Sequence, residues 1–276
     1  MIEKILLADS GTGHSQEMLK ALMEIPSIKP AYVTVLHVVP PQVTSDNMTA
    51  KWEEGGKTLA TAIGSLQLDP NHVTAMLRQG DPKTIVCQVA DEMDVDLIIM
   101  GSRGLKRLES ILENSVSQYV FQLSARPMLL VKDDIYVKKI NKIMVAMDGS
   151  ESAKATLKLA LSLLRDIKGS QLILVRINPK VESSSPETNP VLAPAVAEAK
   201  KMGVAYRCVI STGKPGEEIC RLAEELGVDL LMLGSPERRP SIAKGLPDLD
   251  RLLGTSLSDY VRVYANCPVL LARTVG

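Results

Sequence analysis

Short apolar runs rich in β-branched residues alternate along the chain with segments in which apolar residues recur every three or four positions. The runs are apolar on both faces, which is typical of strands covered on both sides in a parallel sheet, and the other segments have the period of helices. In the first half this pattern predicts strands at residues 4–8, 32–39, 73–78, 97–100 and 128–131, and helices at about residues 14–23, 49–65, 82–92 and 114–123. Five strands alternating with four helices predict a doubly wound α/β domain.

The second half of the chain repeats the first. The clearest matches are KILLADSG at 4–11 with KIMVAMDG at 142–149, GDPKTIVCQVADEMDVDLIIMG at 80–101 with GKPGEEICRLAEELGVDLLMLG at 213–234, and PMLLVK at 127–132 with PVLLAR at 268–273. The segments keep their order and only the loops differ in length, so a whole domain is duplicated. We predict domains at residues 1–134 and 140–276, each a five-stranded parallel sheet, with a linker around residues 133–139.

The composition shows no charge bias and little aromatic content. The chain has 276 residues, with 32 Lys and Arg against 32 Asp and Glu, and six Tyr, one Trp and one Phe. Nucleic-acid binding needs a basic surface and aromatic stacking platforms, so we expect no nucleic-acid partner. No apolar run approaches the roughly 18 residues of a membrane span, and the N-terminus lacks a signal-peptide pattern. Four cysteines without C-x-x-C spacing indicate neither a disulfide framework nor a zinc site, so we expect a cytoplasmic protein with no membrane contact.

The segment after the fourth predicted strand has the features of an anion-binding loop. GSRG at residues 101–104 follows the strand, and after nine further residues NSVS at 114–117 begins a helix. Glycines let the backbone approach an anion closely, and hydroxyl groups at a helix N-terminus lie where the helix dipole favours a phosphate. Neither the Walker A pattern nor the G-x-G-x-x-G fingerprint occurs in the sequence. On these residues alone, both a phosphate site and a simple tight turn remain open.

Taken together, the motifs make the whole chain resemble a tandem universal stress protein. The family pattern G-x2-G-x9-G-[ST] is matched by Gly101, Gly104, Asn114 and Ser115, with Asn at the third glycine position, where it tolerates a positive φ best among the other residues. KIMVAMDGSESA at residues 142–153 is similar to the family's first strand and turn. The resemblance implies two sheets of the adenine nucleotide alpha hydrolase-like fold that pair through their last strands as an intramolecular pseudo-dimer. It also implies self-association of two such chains.

For this family, the resemblance implies that a subset of members bind ATP or a related adenine nucleotide, usually with Mg²⁺, across the carboxyl edge of the sheet. Carried over by position, the binding residues would be Ala8, Asp9, Ser10, Val38, Met100, Gly101, Ser102, Arg103, Gly104, Asn114, Ser115, Val116 and Ser117. Val38 would hydrogen-bond adenine through its main chain, and Asp9 and Ser10 would lie beside the base and ribose. No residue is identified as a metal ligand.

The two copies depart from this pattern at different places. The site of the second copy would contain Asp148, Gly234, Ser256 and Ser258, but the loop reads GSPE, in which Pro removes an N–H group and Glu237 adds negative charge toward a phosphate. We therefore expect the first copy to bind nucleotide and the second to be degenerate.

The first turn is the weaker point of the first copy. Ser10 lies opposite Asp148 in the ungapped match, and Asp9 lies one position earlier. Either a shift of one residue restores the carboxylate, or its contact is displaced. We expect His37 to be a hydrogen-bonded core residue, and Asp96 and the matching Asp229 to serve the turns before their strands.

Three functions are compatible with the sequence. The first is a stress-response or signalling protein whose ligand is ATP, hydrolysed slowly if at all, because neither a Walker lysine nor a general base is evident. The second is an ATP-using transferase or adenylylating enzyme, for which no substrate pocket or acid–base pair can be named. The third is a scaffold module that has lost nucleotide binding altogether.

Overall fold

The computed structural model describes residues 2–102, 115–178, 185–236 and 256–274. The described chain divides into two compact units, here called the first unit (residues 2–24, 28–102 and 115–136) and the second unit (mainly residues 137–178, 185–236 and 256–274). The precise limits of the two predicted domains, 1–134 and 140–276, stay a prediction.

The first unit is a five-stranded parallel sheet with interspersed helices. Its elements are β1 Lys4–Ala8, α1 Ser15–Met23, β2 Tyr32–Val39, α2 Ser45–Leu66, β3 Val73–Gln79, α3 Pro82–Glu92, β4 Leu97–Ser102, α4 Val116–Leu123 and β5 Met128–Lys132. The strand order is β3-β2-β1-β4-β5, and every neighbouring pair in this unit is parallel. The strands β2 and β3 therefore lie on one side of β1, and β4 and β5 lie on the other. In such sheets the carboxyl ends of the strands at this switch point form a crevice.

The second unit has the same architecture. Its elements are β6 Lys142–Ala146, α5 Glu151–Leu164, β7 Gln171–Ile177, α6 Leu192–Lys201, β8 Tyr206–Ser211, α7 Pro215–Glu225, β9 Leu230–Pro236, α8 Leu257–Tyr264 and β10 Val269–Thr274. Within this unit the order is β10-β9-β6-β7-β8, again with parallel neighbours. The α/β fold class and the two five-stranded sheets that the sequence predicts are confirmed.

The central strands are buried on both faces, as their unbroken apolar sequences predict. Leu6 and Leu7 of β1 and Ile98 of β4 are fully buried. Met144 of β6, the counterpart of Leu6 in the second unit, is also fully buried. Full burial of a side chain of this size stabilises the fold by roughly 2 kcal/mol. These strands form a rigid base from which the loops at the carboxyl edge project.

Two equivalent aspartates anchor the beginnings of the first strands. Asp96 Oδ2 accepts hydrogen bonds from the main-chain N–H groups of Glu3 (2.7 Å) and Lys4 (2.9 Å). Asp229 Oδ2 accepts from Asn141 and Lys142, both at 2.8 Å. The sequence predicts that these aspartates serve the turns before their own strands, whereas the hydrogen bonds run to the start of the neighbouring strand, 87–93 residues away in the chain.

The helices differ in length between the two units. The sequence places the second helix at about residues 49–65, but α2 begins at Ser45, where the hydroxyl of the preceding Thr44 accepts a hydrogen bond from Asn47 N (3.3 Å), and it extends for 22 residues. Its counterpart α6 has 10 residues. Among the described helices, none is both long enough and apolar enough to cross a membrane.

Candidate functional site

A cavity of about 530 Å³ opens at the carboxyl edge of the first unit's sheet. The ends of β1, β2 and β4 form its floor, α2 lines one side, and α3 with the start of α4 lines the other. The residues around it are Ala8, Asp9, Ser10, Thr12, Leu36, His37, Val38, Val39, Pro40, Gln42, Lys51, Glu54, Gly55, Thr58, Pro82, Val86, Met100, Gly101, Ser102, Ser115, Val116, Ser117 and Asp133. The cavity therefore lies at the switch point of the strand order, where doubly wound sheets bind ligands.

The cavity brings together ten of the thirteen predicted binding residues. These are Ala8, Asp9, Ser10, Val38, Met100, Gly101, Ser102, Ser115, Val116 and Ser117. The other three, Arg103, Gly104 and Asn114, lie outside the described residues. Four further residues of the cavity wall belong to α2 and are not predicted by the sequence motifs: Lys51, Glu54, Gly55 and Thr58. The glycine-loop motif carries no information about α2. Only the position of α2 between β2 and β3 places this helix near the cavity.

Val38 exposes main-chain groups at the floor of the cavity. The ladder between β1 and β2 ends with the pair Ala8 and Leu36, and Asp9 N then donates to Leu36 O at 2.9 Å. Alternate residues of a strand direct their N–H and C=O groups to the same side, so those of Val38 face the space beyond the end of β1. One donor and one acceptor side by side can read the edge of a purine or pyrimidine.

The N-terminus of α4 is open toward the cavity. Ser115 stands at the N-cap position, but its hydroxyl lies 2.9 Å from the hydroxyl of Ser117 and makes no capping hydrogen bond. Both serines are buried and line the cavity. The first N–H groups of a helix lack partners within the helix, and the helix dipole concentrates positive potential there. Two hydroxyls and this positive potential make the α4 N-terminus suited to an anion.

Asp9 is a buried acid at the cavity wall, 4% exposed. Its Oδ2 accepts a hydrogen bond from Gln16 Nε2 (3.1 Å), and Oδ1 has no partner in the part of the chain that the structure describes. Burial raises the pKa of the Asp9 carboxyl above its usual range, and the hydrogen bonds from the Gly11 main chain and from Gln16 offset part of this increase.

The one-residue shift considered for the first turn does not occur. Asp9 N donates to Leu36 O, and in the second unit Met147 N donates to Val175 O at 2.8 Å, so Asp9 takes the main-chain position of Met147. Ser10 accordingly takes the exposed position of Asp148. The carboxylate is displaced from the surface of the turn to its buried side.

His37 lies on the α2 side of the cavity and is half-buried. Its Nδ1 is 2.9 Å from the main-chain oxygen of Asp9 and donates to it in the tautomer that carries a proton there. His37 is hydrogen-bonded, as predicted, but it is not a core residue, because it is half-buried and contributes to the cavity wall. Beyond it, Lys51 and Glu54 form an exposed ion pair of 2.6 Å on α2.

The second unit has a much smaller cavity at the equivalent edge, about 170 Å³. Asp148 and Gly234 contribute to it, as the sequence predicts, together with Arg176, the counterpart of His37. Arg176 Nη1 donates to Met147 O at 3.2 Å, so a longer side chain binds the same main-chain position that His37 binds in the first unit. Glu237 and the loop that follows it lie outside the described residues.

The N-terminus of α8 is closed by its own side chains. Ser256 Oγ accepts a hydrogen bond from Asp259 N (3.3 Å) and donates one to Asp259 Oδ2 (2.7 Å). This cap and the acid in the first turn satisfy the helix dipole from within the protein. The corresponding end of α4 carries neither.

The sequence model of the universal stress protein family matches residues 1–132 and again residues 139–273. The chain belongs to the universal stress protein family. The universal stress protein YxiE of Bacillus subtilis is 28% identical over 148 residues, which is 48% of this chain and 100% of that protein. One copy of the repeat therefore corresponds to an entire single-domain universal stress protein.

A solved structure shows the same fold over nearly the whole chain. A universal stress protein from Archaeoglobus fulgidus has a TM-score of 0.75 at 20% identity and covers 98% of this chain and 96% of its own. A universal stress protein family protein from Arabidopsis thaliana, crystallised with AMP bound, is 22% identical with a TM-score of 0.36, over 49% of this chain and 93% of its own.

The glycines at the ends of β4 and β9 show how two universal stress protein sheets of one chain differ. Among the described residues, a Cβ added at Gly101 would meet only Asp133 Oδ1, at 3.9 Å. A Cβ at Gly234 would lie 2.5 Å from the main-chain carbon of Ser152 and 2.6 Å from the nitrogen of Ala153. At this point the first turn of α5 packs closely against the strand in the second unit, whereas no described residue of the first unit comes within 3.9 Å of a Cβ placed at Gly101.

Proposed function

We propose that the first unit binds an adenine nucleotide, ATP with Mg²⁺, and that the protein acts in stress response or signalling through this bound ligand. The observation that carries the proposal is the uncapped α4 N-terminus, with Ser115 and Ser117, in the same cavity as the main-chain edge of Val38. A nucleotide uses both features at once, with its phosphate at the α4 N-terminus and its base at the main-chain edge of Val38.

The size and lining of the cavity support a ligand of this class. Small-molecule sites typically enclose 300–1,000 Å³, so about 530 Å³ lies within this range and the 170 Å³ of the second unit lies below it. Pro82, Val86 and Val116 give one wall an apolar surface for a flat base. We therefore assign one nucleotide to each chain and none to the second unit.

The residues at the phosphate end also fit a divalent cation. Mg²⁺ binds oxygen ligands and is usually held by substrate phosphates with one or two carboxylates. Asp133 and the hydroxyls of Ser102 and Ser115 line this end of the cavity and would hold the ion with the phosphates. When bound, the ion would neutralise part of the phosphate charge.

We assign a ligand role rather than rapid catalysis. Ser115 and Ser117 at the start of α4 offer hydroxyls, which bind phosphate without acting as general bases, and Asp133 is assigned to the cation. His37 lies beside Asp9 with Nδ1 directed to a main-chain oxygen. Slow hydrolysis of ATP is compatible with this arrangement. Self-association and a cytoplasmic location belong to the same proposal, and light scattering of the purified protein tests the first of them.

Direct analysis of the bound ligand tests the proposal. The purified protein is denatured by heat, and the released small molecules are identified and quantified by chromatography and mass spectrometry. We expect about one adenine nucleotide per chain, or stoichiometric binding of added Mg-ATP by calorimetry if the ligand is lost during purification. If the protein neither releases a nucleotide on heating nor binds added Mg-ATP, it would instead be a scaffold module that has lost nucleotide binding. Steady turnover with a co-substrate would favour the transferase.

A matched pair of variants locates the site. Asp is a good N-cap residue, so Ser115→Asp and Ser256→Asp should both preserve their helices. In the first unit the new carboxylate would repel phosphate, and we expect the affinity for ATP to fall at least about tenfold, equivalent to ~1.4 kcal/mol. Ser256→Asp should leave it unchanged, and the neutral cap Ser115→Asn separates charge from shape. Loss of ATP binding only in Ser256→Asp would show that the nucleotide binds to the second unit, contrary to the proposal.

A further inference from the structure

Asp9 occupies a position that the second unit fills with an apolar side chain. Asp9 and Met147 follow equivalent strands, make equivalent main-chain hydrogen bonds to Leu36 and Val175, and are each 4% exposed. The fold therefore accommodates a neutral side chain here, and the first unit places an ionisable group in the same buried position.

The hydrogen bonds of Asp9 are incomplete for an ionised carboxylate. Oδ2 accepts from Gln16 Nε2, and Gln16 Oε1 in turn accepts from Ser65 Oγ at 2.5 Å, which fixes the orientation of the Gln16 amide. Oδ1 is buried with no hydrogen-bond partner among the described residues. A buried charge with one oxygen unsatisfied is costly, whereas a neutral carboxylic acid in the same position costs less.

We propose that the nucleotide binds to the first unit together with a proton, which is taken up on Asp9 Oδ1. This inference rests on the proposed function of the cavity. A ligand in the cavity displaces water from the wall that Asp9 helps to form, and its phosphates bring negative charge into the same space. Both effects disfavour the ionised carboxylate and favour the neutral acid.

The groups around Asp9 set the direction of this linkage. Burial raises the pKa of the Asp9 carboxyl most, and the Gly11 main-chain N–H group and Gln16 lower it by less. His37 on β2 lowers it and Glu17 on α1 raises it by smaller amounts still. On α2, Lys51 and Glu54 neutralise each other as an ion pair. Asp133, which follows β5, adds a further negative group to the cavity wall. The pKa of Asp9 is thus already raised in the free protein, and a bound polyanion raises it further.

Asp9→Asn imitates the protonated state. The amide oxygen can replace Oδ2 as the acceptor for Gln16, and the amide NH2 then lies at the position of Oδ1, where the protonated acid carries its hydrogen. If Asp9 had a purely structural role, changing it would lower the affinity of the protein for nucleotide. The proposal instead predicts that this variant binds nucleotide more tightly than the wild type at high pH.

Calorimetric titration of the full chain with ATP between pH 5.5 and 8.5, in buffers of different ionisation enthalpy, tests the proposal. The wild type should take up as much as one proton on binding and lose affinity as pH rises, by as much as about tenfold per pH unit where the free carboxyl is ionised and the bound one is not. The terminal phosphate of ATP also titrates, near pH 6, so the quantity to compare is the difference between wild type and Asp9→Asn. The variant should lack the extra proton and the extra slope.

Glu17→Gln provides the control, because it removes a neighbouring carboxylate that does not line the cavity. It should keep the linkage but move it to lower pH, since Glu17 raises the pKa of Asp9. Equal proton uptake in wild type and Asp9→Asn would overturn the inference while leaving nucleotide binding intact, as would loss of the linkage in Glu17→Gln alone. Failure of wild type and variant alike to bind ATP at any pH would overturn the proposed function and this inference together.

Discussion

The first and second units share strand order, element order and the anchoring aspartates, yet their cavities differ about threefold in volume, 530 against 170 Å³. The difference arises from residues at the strand ends rather than from the sheet. Arg176 replaces His37, the first turn of α5 lies against Gly234, and Ser256 caps its own helix. The cavity at one edge of a duplicated domain can therefore shrink through changes at the strand ends while the core stays the same.

The close contact at Gly234 offers the largest test of this comparison. Gly234→Ala forces a methyl group into the main chain of α5, which cannot move without disturbing β6 and β9, so we expect a loss of about 3 kcal/mol or more in the free energy of unfolding of the second unit. Gly101→Ala meets, among the described residues, only Asp133 Oδ1 at 3.9 Å and should cost less than about 1 kcal/mol in the first unit. Urea unfolding followed by hydrogen exchange in each unit would measure both. Equal costs would show that the first turn of α5 does not close the second site.

Exchange of Asp9 for the residue of the second unit gives an intermediate effect. Asp9→Met removes a buried carboxylate with an unsatisfied oxygen, and we expect it to stabilise the first unit by about 1–2 kcal/mol at pH 8. Because the folded-state pKa of Asp9 is raised, the wild type carries this penalty above that pKa and loses it as pH falls toward the unfolded value. The difference in unfolding free energy between variant and wild type should therefore shrink in acid. A difference independent of pH would mean that packing, not ionisation, distinguishes the two side chains.

The smallest difference between units is expected at the anchoring aspartates. Asp96→Ala and Asp229→Ala each remove an acceptor for two main-chain N–H groups, at a cost of about 1–2 kcal/mol. The two costs should agree within about 0.5 kcal/mol, because the hydrogen bonds match. Thermal unfolding of both variants measures this, and clearly unequal values would show that the two sheets are less alike in energy than in geometry.

The sequence predicted most of the fold because buried parallel strands and amphipathic helices leave periodic patterns. β1, β2 and α3 have the predicted limits, and α4 begins at Val116 rather than Asn114. The duplication also predicted that the equivalent, degenerate site of the second sheet lies at the same edge as the site of the first, since corresponding segments follow the same strands.

The properties that distinguish the two sites could not be predicted in the same way. Whether Asp9 lies inside or outside the turn depends on where β1 ends, and a match of sequences cannot locate that residue. The opposite behaviour of Ser115 and Ser256 depends on Asp259, which attracts the Ser256 hydroxyl, whereas Gln118 stands at that position in the first unit. Such differences are set by single hydrogen bonds, which leave no periodic pattern.

The overhang of β2 beyond β1 has a consequence for how the site tolerates mutation. The groups at Val38 that face the cavity belong to the main chain, so they remain whatever side chain stands at that position, and the second unit has Ile177 there. The base recognition proposed for the first unit depends on the register of two strands and not on the identity of a residue. Drift in sequence at residue 38 would leave it intact, whereas one extra residue at the end of β1 would cover it.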